Sequence, residues 1–275
     1  MDEIIKYMLA EDKGYGDITS DALISPDIIS EGYIISKEEG VLAGISLIKD
    51  IFSQYDITIL NSLNDGDKIK KGDKLIEFKG QAKTILLIER TVLNLLMRMS
   101  GVATKTNNIV TKVHNVNPKI RVAGTRKTAP ALQNYDKQAI IIGGGDSHRN
   151  GLDDMVLIKD NHIAIVGSVS KALDLAKNNV SFSKKIEIEV ENSDDAIIAA
   201  EKGADIIMFD NMSPKEALKT LNLLKENNLR NNVLIELSGG ITEDNILDYA
   251  LLDVDIISLG ALTHSTRSLN FSLDM

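Results

Sequence analysis

IEIEVENSDDAIIAAEKGADIIMFD, residues 186–210, is the stretch whose reading decides the fold. It opens on the strand-like run Ile186–Val190, passes through Ser193-Asp194-Asp195, and returns to a second apolar run at Ile206–Phe209. A hydroxyl followed by acids in the next turn marks a helix start, because the side-chain oxygen and the negative charge both serve the exposed N–H groups there. Strand, helix, strand is the repeating unit of a parallel sheet. The same alternation extends outward to Ile120–Gly124, Met155–Ile158, Val233–Leu237 and Val254–Leu259. Ser213-Pro214-Lys215-Glu216 is a capping box with proline in the first turn, and Thr242-Glu243-Asp244 reads as another start. A parallel α/β architecture follows. The roughly 150 residues available suit an incomplete barrel better than a full eight-unit one.

The first hundred residues follow a different grammar. A short helix is expected over residues 2–10, then a turn-rich loop at Asp12–Thr19. Strand-like runs follow at Gly32–Lys37, Gly40–Ala43, Ile57–Leu60 and Lys74–Lys79. Asp65–Leu75 has the hairpin grammar of biotinyl and lipoyl carriers but lacks the setting of their acceptor lysine, so it reads as a structural hairpin. Residues 84–113 carry a helical period through Ile85, Ile88, Val92, Leu95, Leu96 and Met99. Ser100-Gly101 is expected to break that helix and to mark the junction between a domain of residues 1–102 and one of 103–275.

Bulk composition narrows the function. The 275 residues are 43% hydrophobic and 26% charged, enough for a real core. No apolar run approaches the roughly 18 residues of a membrane span. Met1-Asp2-Glu3 has no basic segment of the secretory kind. There is no cysteine, which removes disulfides and thiolate-held zinc and fits the cytoplasm. A net charge of −9 with 4% aromatics argues against nucleic acid. Clustered cations in so acidic a chain are then reserved for something anionic.

Those cations fall at strand ends, where barrels of this class gather their chemistry. The successive endings are Thr125-Arg126-Lys127-Thr128, Lys159-Asp160-Asn161-His162, Asp210-Asn211, Ser238-Gly239-Gly240 and Ser258-Leu259-Gly260-Ala261. Arg126-Lys127 alone suits a solvated loop, and Gly143-Gly144-Gly145 alone suits a flexible turn. Lys159 is different: a lysine continuing the apolar run Val156-Leu157-Ile158 needs an anionic partner. Glu187, Glu189 and Glu191 alternate, so they share one strand face. That face is either a solvated edge or an inward cluster that needs cations or a metal. The glycines after Ser238 and Leu259 allow close backbone approach to a phosphate.

Taken in order, Thr125–Pro130, Gly143–Arg149, Met155–His162, Glu187–Asn192, Phe209–Met212 and Ser258–His264 closely resemble the quinolinate phosphoribosyltransferase family, the carboxylating nicotinate-nucleotide pyrophosphorylases. The resemblance also takes in Gly14–Thr19 and Glu89–Gly101, so it covers nearly the whole chain. It implies an N-terminal α/β sandwich followed by an incomplete parallel β/α barrel. It implies homodimers, or hexamers built from them, whose active sites are shared across the dimer interface. The implied reaction is a pentosyl transfer in NAD biosynthesis: quinolinate and phosphoribosyl pyrophosphate (PRPP) give nicotinate mononucleotide, pyrophosphate and CO2. Its implied cofactor is Mg2+ with PRPP as co-substrate, and no organic cofactor.

By the same resemblance, Arg126, His148 and Arg149 grip the two carboxylates, and Arg90 reaches in from the neighbouring subunit. Lys127 and Lys159 lie at the junction with the diphosphate. Glu189 and Asp210 hold the metal and, with the two lysines, form the catalytic set. Ser238, Gly239, Gly240 and Gly260 receive the 5′-phosphate. Two departures stand out: Ala131-Leu132-Gln133 where the family commonly has Gly-Leu-Arg, and Asp146 beside the anion site. Asp146 is expected to face away or to pair with Lys137. A relative associated with molybdenum transport genes shares the fold, but the intact His148-Arg149 and Lys159–His162 segments favour the transferase.

Overall fold

The computed structural model describes residues 2–275, which form two compact units. In chain order the first strands are β1 (Ile29–Ser36), β2 (Gly40–Val41), β3 (Thr58–Ser62), β4 (Lys68–Ile69) and β5 (Lys74–Gln81). Then come β6 (Arg121–Ala123), β7 (Val156–Ile158), β8 (Ile186–Val190), β9 (Ile206–Asp210), β10 (Leu234–Ser238) and β11 (Ile256–Ser258). The last is β12 (Phe271–Asp274). Neither unit is a single continuous stretch of chain. Ala129–Gly144 and Ser265–Met275 belong with the chain up to Asn107, and the second unit holds Asn108–Thr128 and Gly145–His264. The reason is visible at β12, which pairs antiparallel with β1 and so returns the C-terminus to the first unit.

The first unit is built on the antiparallel sheet β12-β1-β5-β3. Helix Ile45–Gln54 buries Ile45, Ile48, Ile51 and Phe52, spaced along one face. Phe52 meets Phe78 of β5 edge-on at 5.0 Å between ring centroids. Gly44 offers that helix no side-chain cap, and Asp65 does so instead, accepting from the N–H groups of Gly44, Ile45 and Ser46 at 2.6, 2.9 and 3.1 Å. The Asp65–Leu75 segment is not a hairpin: β4 pairs with β2, and β5 runs in the larger sheet.

The expected break at Ser100-Gly101 is absent, because a single helix runs from Ala82 to His114. Both residues serve packing. The Ser100 hydroxyl accepts from the Ala43 N–H at 3.0 Å. At Gly101 a Cβ would lie 2.2 Å from the Arg267 carbonyl oxygen. Ala131 explains its own oddity: its φ is +66°, a conformation glycine adopts without strain and alanine at a cost of about 1–2 kcal/mol.

The second unit carries six parallel strands in the order β6-β11-β10-β9-β8-β7. All six expected runs are strands of this sheet. The edge strands β6 and β7 do not pair with each other, so the barrel is incomplete, and a single bridge from Ala123 to Asp146 lies beside β6. Helices Val169–Asn179, Ser193–Glu201 and Pro214–Glu226 cover successive crossovers. The capping box at Ser213 and Glu216 forms as the sequence predicts. Helix Ile246–Ala250 starts later than Thr242-Glu243-Asp244 suggests, because Asn245 Oδ1 first accepts from the Thr242 N–H at 2.8 Å. Among the described residues no helix is long and apolar enough to cross a membrane.

Candidate active site

In a parallel sheet every strand delivers its C-terminal residue to the same end, and here those ends line one cavity of about 400 Å3. Thr125, Arg126 and Lys127 follow β6, while Lys159 and Asp160 follow β7. Glu189 comes from β8, Asp210 from β9, Ser238 from β10 and Ser258 from β11. His148, Arg149, Gly239 and Gly240 complete the polar lining that the sequence singled out. Gly260 lies beside it: a Cβ there would sit 3.1 Å from Lys127 Cδ, so the missing side chain leaves room for the lysine stem. Gly239 is required by close approach, since a Cβ would meet the Asn211 backbone nitrogen at 2.8 Å and its φ is +82°.

Charge inside the cavity is paired but not neutralised. Lys159 Nζ lies 2.5 Å from Glu189 Oε1, the anionic partner that its place after an apolar strand demanded. Behind it the Lys159 N–H donates to His162 Nδ1 at 2.9 Å, so His162 fixes the turn and does not line the cavity. Arg149 is buried, and burial first, then the neighbouring Arg126 charge, lowers its pKa; Glu187 and Glu189 oppose that shift. Two guanidiniums held close together suit a ligand with more than one negative charge.

His148 is the centre of a second group. Its Nε2 lies 3.0 Å from Glu236 Oε2 and 3.4 Å from Glu187 Oε2, and neither carboxylate is exposed at all. Glu187 receives no hydrogen bond among the described residues. Burial, and next the Glu236 charge, pushes its carboxyl up to about 8. The backbone of His148 is left-handed, with φ +55°. Asp146 holds that turn: its Oδ1 accepts from the His148 N–H at 2.8 Å and its Oδ2 lies 3.4 Å from Arg121 Nη1. Of the two expectations for Asp146, it stays out of the main cavity lining, and its ion-pair partner is Arg121 rather than Lys137. Glu191 lies beyond the end of β8 and is exposed, so the inward face keeps only Glu187 and Glu189.

Sequence reasoning passed over Glu236 as a site residue and singled out Ser258 only as part of a strand ending, with no role of its own. The signal was present, because Glu236 interrupts the apolar run Val233–Leu237 just as Lys159 ends another. Arg90 does not line this cavity. It is exposed on helix Ala82–His114 in the first unit and lines a separate cavity of about 560 Å3 with Glu11, Asp12 and Arg98.

Two carboxylate groupings bear on a metal. Glu189 and Asp210, on adjacent strands, share the wall of the main cavity and of a smaller one beside it. That donor set fits magnesium, which takes a few carboxylates and fills its remaining positions with substrate oxygens and water. His148, Glu187 and Glu236 bring their ligand-type atoms within 4.8 Å of one another, but there the imidazole already stands at hydrogen-bonding distance from Glu236.

The family profile described as quinolinate phosphoribosyl transferase, C-terminal domain, matches residues 102–274, and the N-terminal domain of the same family matches 17–100. A probable carboxylating nicotinate-nucleotide pyrophosphorylase of Methanocaldococcus jannaschii is 50% identical over 275 residues, covering 99% of this chain and 96% of that protein. The human carboxylating nicotinate-nucleotide pyrophosphorylase is 37% identical over 254 residues, 92% of this chain and 85% of its own length. The crystal structure of NadC from Streptococcus pyogenes superposes with a TM-score of 0.91 at 37% identity, covering 98% of this chain and 94% of that one.

Proposed function

The chain belongs to the quinolinate phosphoribosyl transferase family, and from that premise we infer that it transfers the phosphoribosyl group of PRPP to quinolinate with decarboxylation. The observation that carries this reading is the meeting of Arg126, Lys127, His148, Arg149 and Lys159 in one cavity of an acidic protein. Quinolinate brings two carboxylates and PRPP brings a phosphate and a diphosphate, so both substrates need such a site.

Arg126, His148 and Arg149 bind the dicarboxylate, each guanidinium through a planar fork that matches a carboxylate. Held there, the pyridine nitrogen faces the anomeric carbon of PRPP; its lone pair forms the new C–N bond as the bond to diphosphate breaks. Lys127 and Lys159 face the departing diphosphate and stabilise its growing charge. Glu189 and Asp210 would hold Mg2+, which supplies further neutralisation of that charge. The alkylated ring nitrogen is positive, so it stabilises the carbanion left on the adjacent ring carbon when that carbon's carboxylate departs as CO2. The ring carbon then takes a proton, and nicotinate mononucleotide results. Ser238, Gly239, Gly240 and Gly260 receive the 5′-phosphate at the ends of β10 and β11.

Two finer points belong to the same reading. The site is completed in a homodimer by Arg90 of a second copy; its exposure and its distance in sequence from the barrel strands support this. The protein works in the cytoplasm, in keeping with its lack of cysteine. With Mg2+, quinolinate and PRPP, the purified protein releases CO2 and pyrophosphate in equal amounts. Turnover of nicotinic acid but not quinolinate overturns the substrate assignment.

A further inference from the structure

A continuous chain of hydrogen bonds runs along the lining of the main cavity. His148 Nε2 meets Glu236 Oε2 at 3.0 Å, and the Ser258 hydroxyl donates to Glu236 Oε1 at 2.5 Å. Ser258 Oγ lies 2.9 Å from Ser238 Oγ. Glu236 and Ser238 are two residues apart on β10 and therefore point to the same face, and Ser258 ends the neighbouring strand β11. Glu236 is 0% and Ser258 2% exposed, and both belong to the buried part of the cavity lining.

The direction of the hydrogens follows from the counts. A serine hydroxyl has one hydrogen. At Ser258 it goes to the charged acceptor, which makes the shorter and stronger bond. The same hydroxyl stands as the donor to Ser238 Oγ, so the two acceptors compete for one hydrogen and Ser238 keeps its own for a ligand.

We propose that Glu236 and Ser258 are positioning residues that tie His148 to Ser238, so that the dicarboxylate and the phosphoribosyl donor strengthen each other's binding. The proposal rests on the reading of His148 and Ser238 given above. A phosphate that accepts the Ser238 hydrogen makes the Ser238 oxygen a stronger acceptor. Ser258 then turns its own hydrogen to the Ser238 oxygen, and Glu236 loses one of its two donors. More of the Glu236 charge is left for the imidazole, which is held more firmly against Oε2. His148 is thereby fixed before the dicarboxylate arrives. Linkage makes the effect reciprocal.

Binding of phthalate tests this in the full chain. Phthalate has both carboxylates and no ring nitrogen, so it occupies the dicarboxylate site without reacting. Calorimetry on wild type is expected to show phthalate binding tightened about tenfold by saturating PRPP with Mg2+. Ser258→Ala reduces that factor to less than about twofold, and Ser258→Thr, which keeps a hydroxyl, restores it. If Ser258→Ala does not fold, the near-isosteric Glu236→Gln takes its place and loses the coupling in the same way. A merely structural role would weaken both ligands alike and leave the ratio unchanged, and that result overturns the proposal, as does a wild type with no coupling. A wild type that binds PRPP but never phthalate defeats the dicarboxylate reading itself, and the coupling with it.

Discussion

Asp136 in the first unit and Glu187 in the second are both sealed from solvent, at 0% exposure, yet they are treated in opposite ways. Asp136 accepts two parallel bonds from Arg98, from Nε and Nη2, each 2.8 Å. Its charge is matched in geometry and in number. Glu187 accepts none, and its nearest basic group is the His148 imidazole at 3.4 Å, shared with Glu236. A buried carboxylate without partners is costly. The contrast teaches where each unit spends its cations: the first neutralises its buried charge and gains a fixed helix contact. The barrel leaves a carboxylate under-compensated because the cations around it face a cavity made for other anions.

Removing the compensated charge is expected to have the largest effect. Asp136→Ala strands the Arg98 guanidinium, whose side chain is only 22% exposed, and should cost about 3–5 kcal/mol. Urea unfolding measures it. A loss below about 1 kcal/mol would mean that Arg98 swings to water and that the pair is no better than a surface one.

The same helix carries the next test. Arg90 lies two turns before Arg98 and lines the same cavity, but makes no ion pair among the described residues. One arginine is fixed by Asp136 and the other is not. Arg90→Ala should fold normally and lose about 10²–10³-fold in kcat/KM. Mixing Arg90→Ala with Lys127→Ala subunits, under conditions that exchange subunits, should recover part of the activity. Equal inactivity of the mixture and its components would leave Arg90 outside any shared site.

Much of the barrel half of this comparison was legible in the sequence. β7 through β11 are short apolar runs ending in polar residues, and parallel strands deliver such endings to one place. The first unit was less legible because its critical contacts are distant in sequence. Gly101 looks like a helix breaker until Arg267 is seen against it. Nothing local says that Asp65 caps a helix beginning some twenty residues earlier. Within the site, Glu236 escaped notice because its partners, His148 and Ser258, come from other elements and no spacing rule joins them.

The last effect, smallest per step because it is spread over several pH units, discriminates most directly between the two carboxylates. Burial, and then the adjacent Glu236 charge, lifts the Glu187 carboxyl from 4.5 to about 8. In that window the folded chain keeps a proton that the unfolded chain gives up. The contribution of Glu187 to folding stability is therefore fullest below about 4.5 and declines as pH rises toward about 8. One such group contributes a slope of about 1.4 kcal/mol per pH unit. Glu187→Gln has no proton to lose and keeps a similar shape. Its stability relative to wild type, measured by urea unfolding without Mg2+ or substrates, should grow steadily from pH 5 to pH 8. Parallel pH profiles would mean that His148 compensates Glu187 as fully as Arg98 compensates Asp136, and the contrast between the two units would vanish.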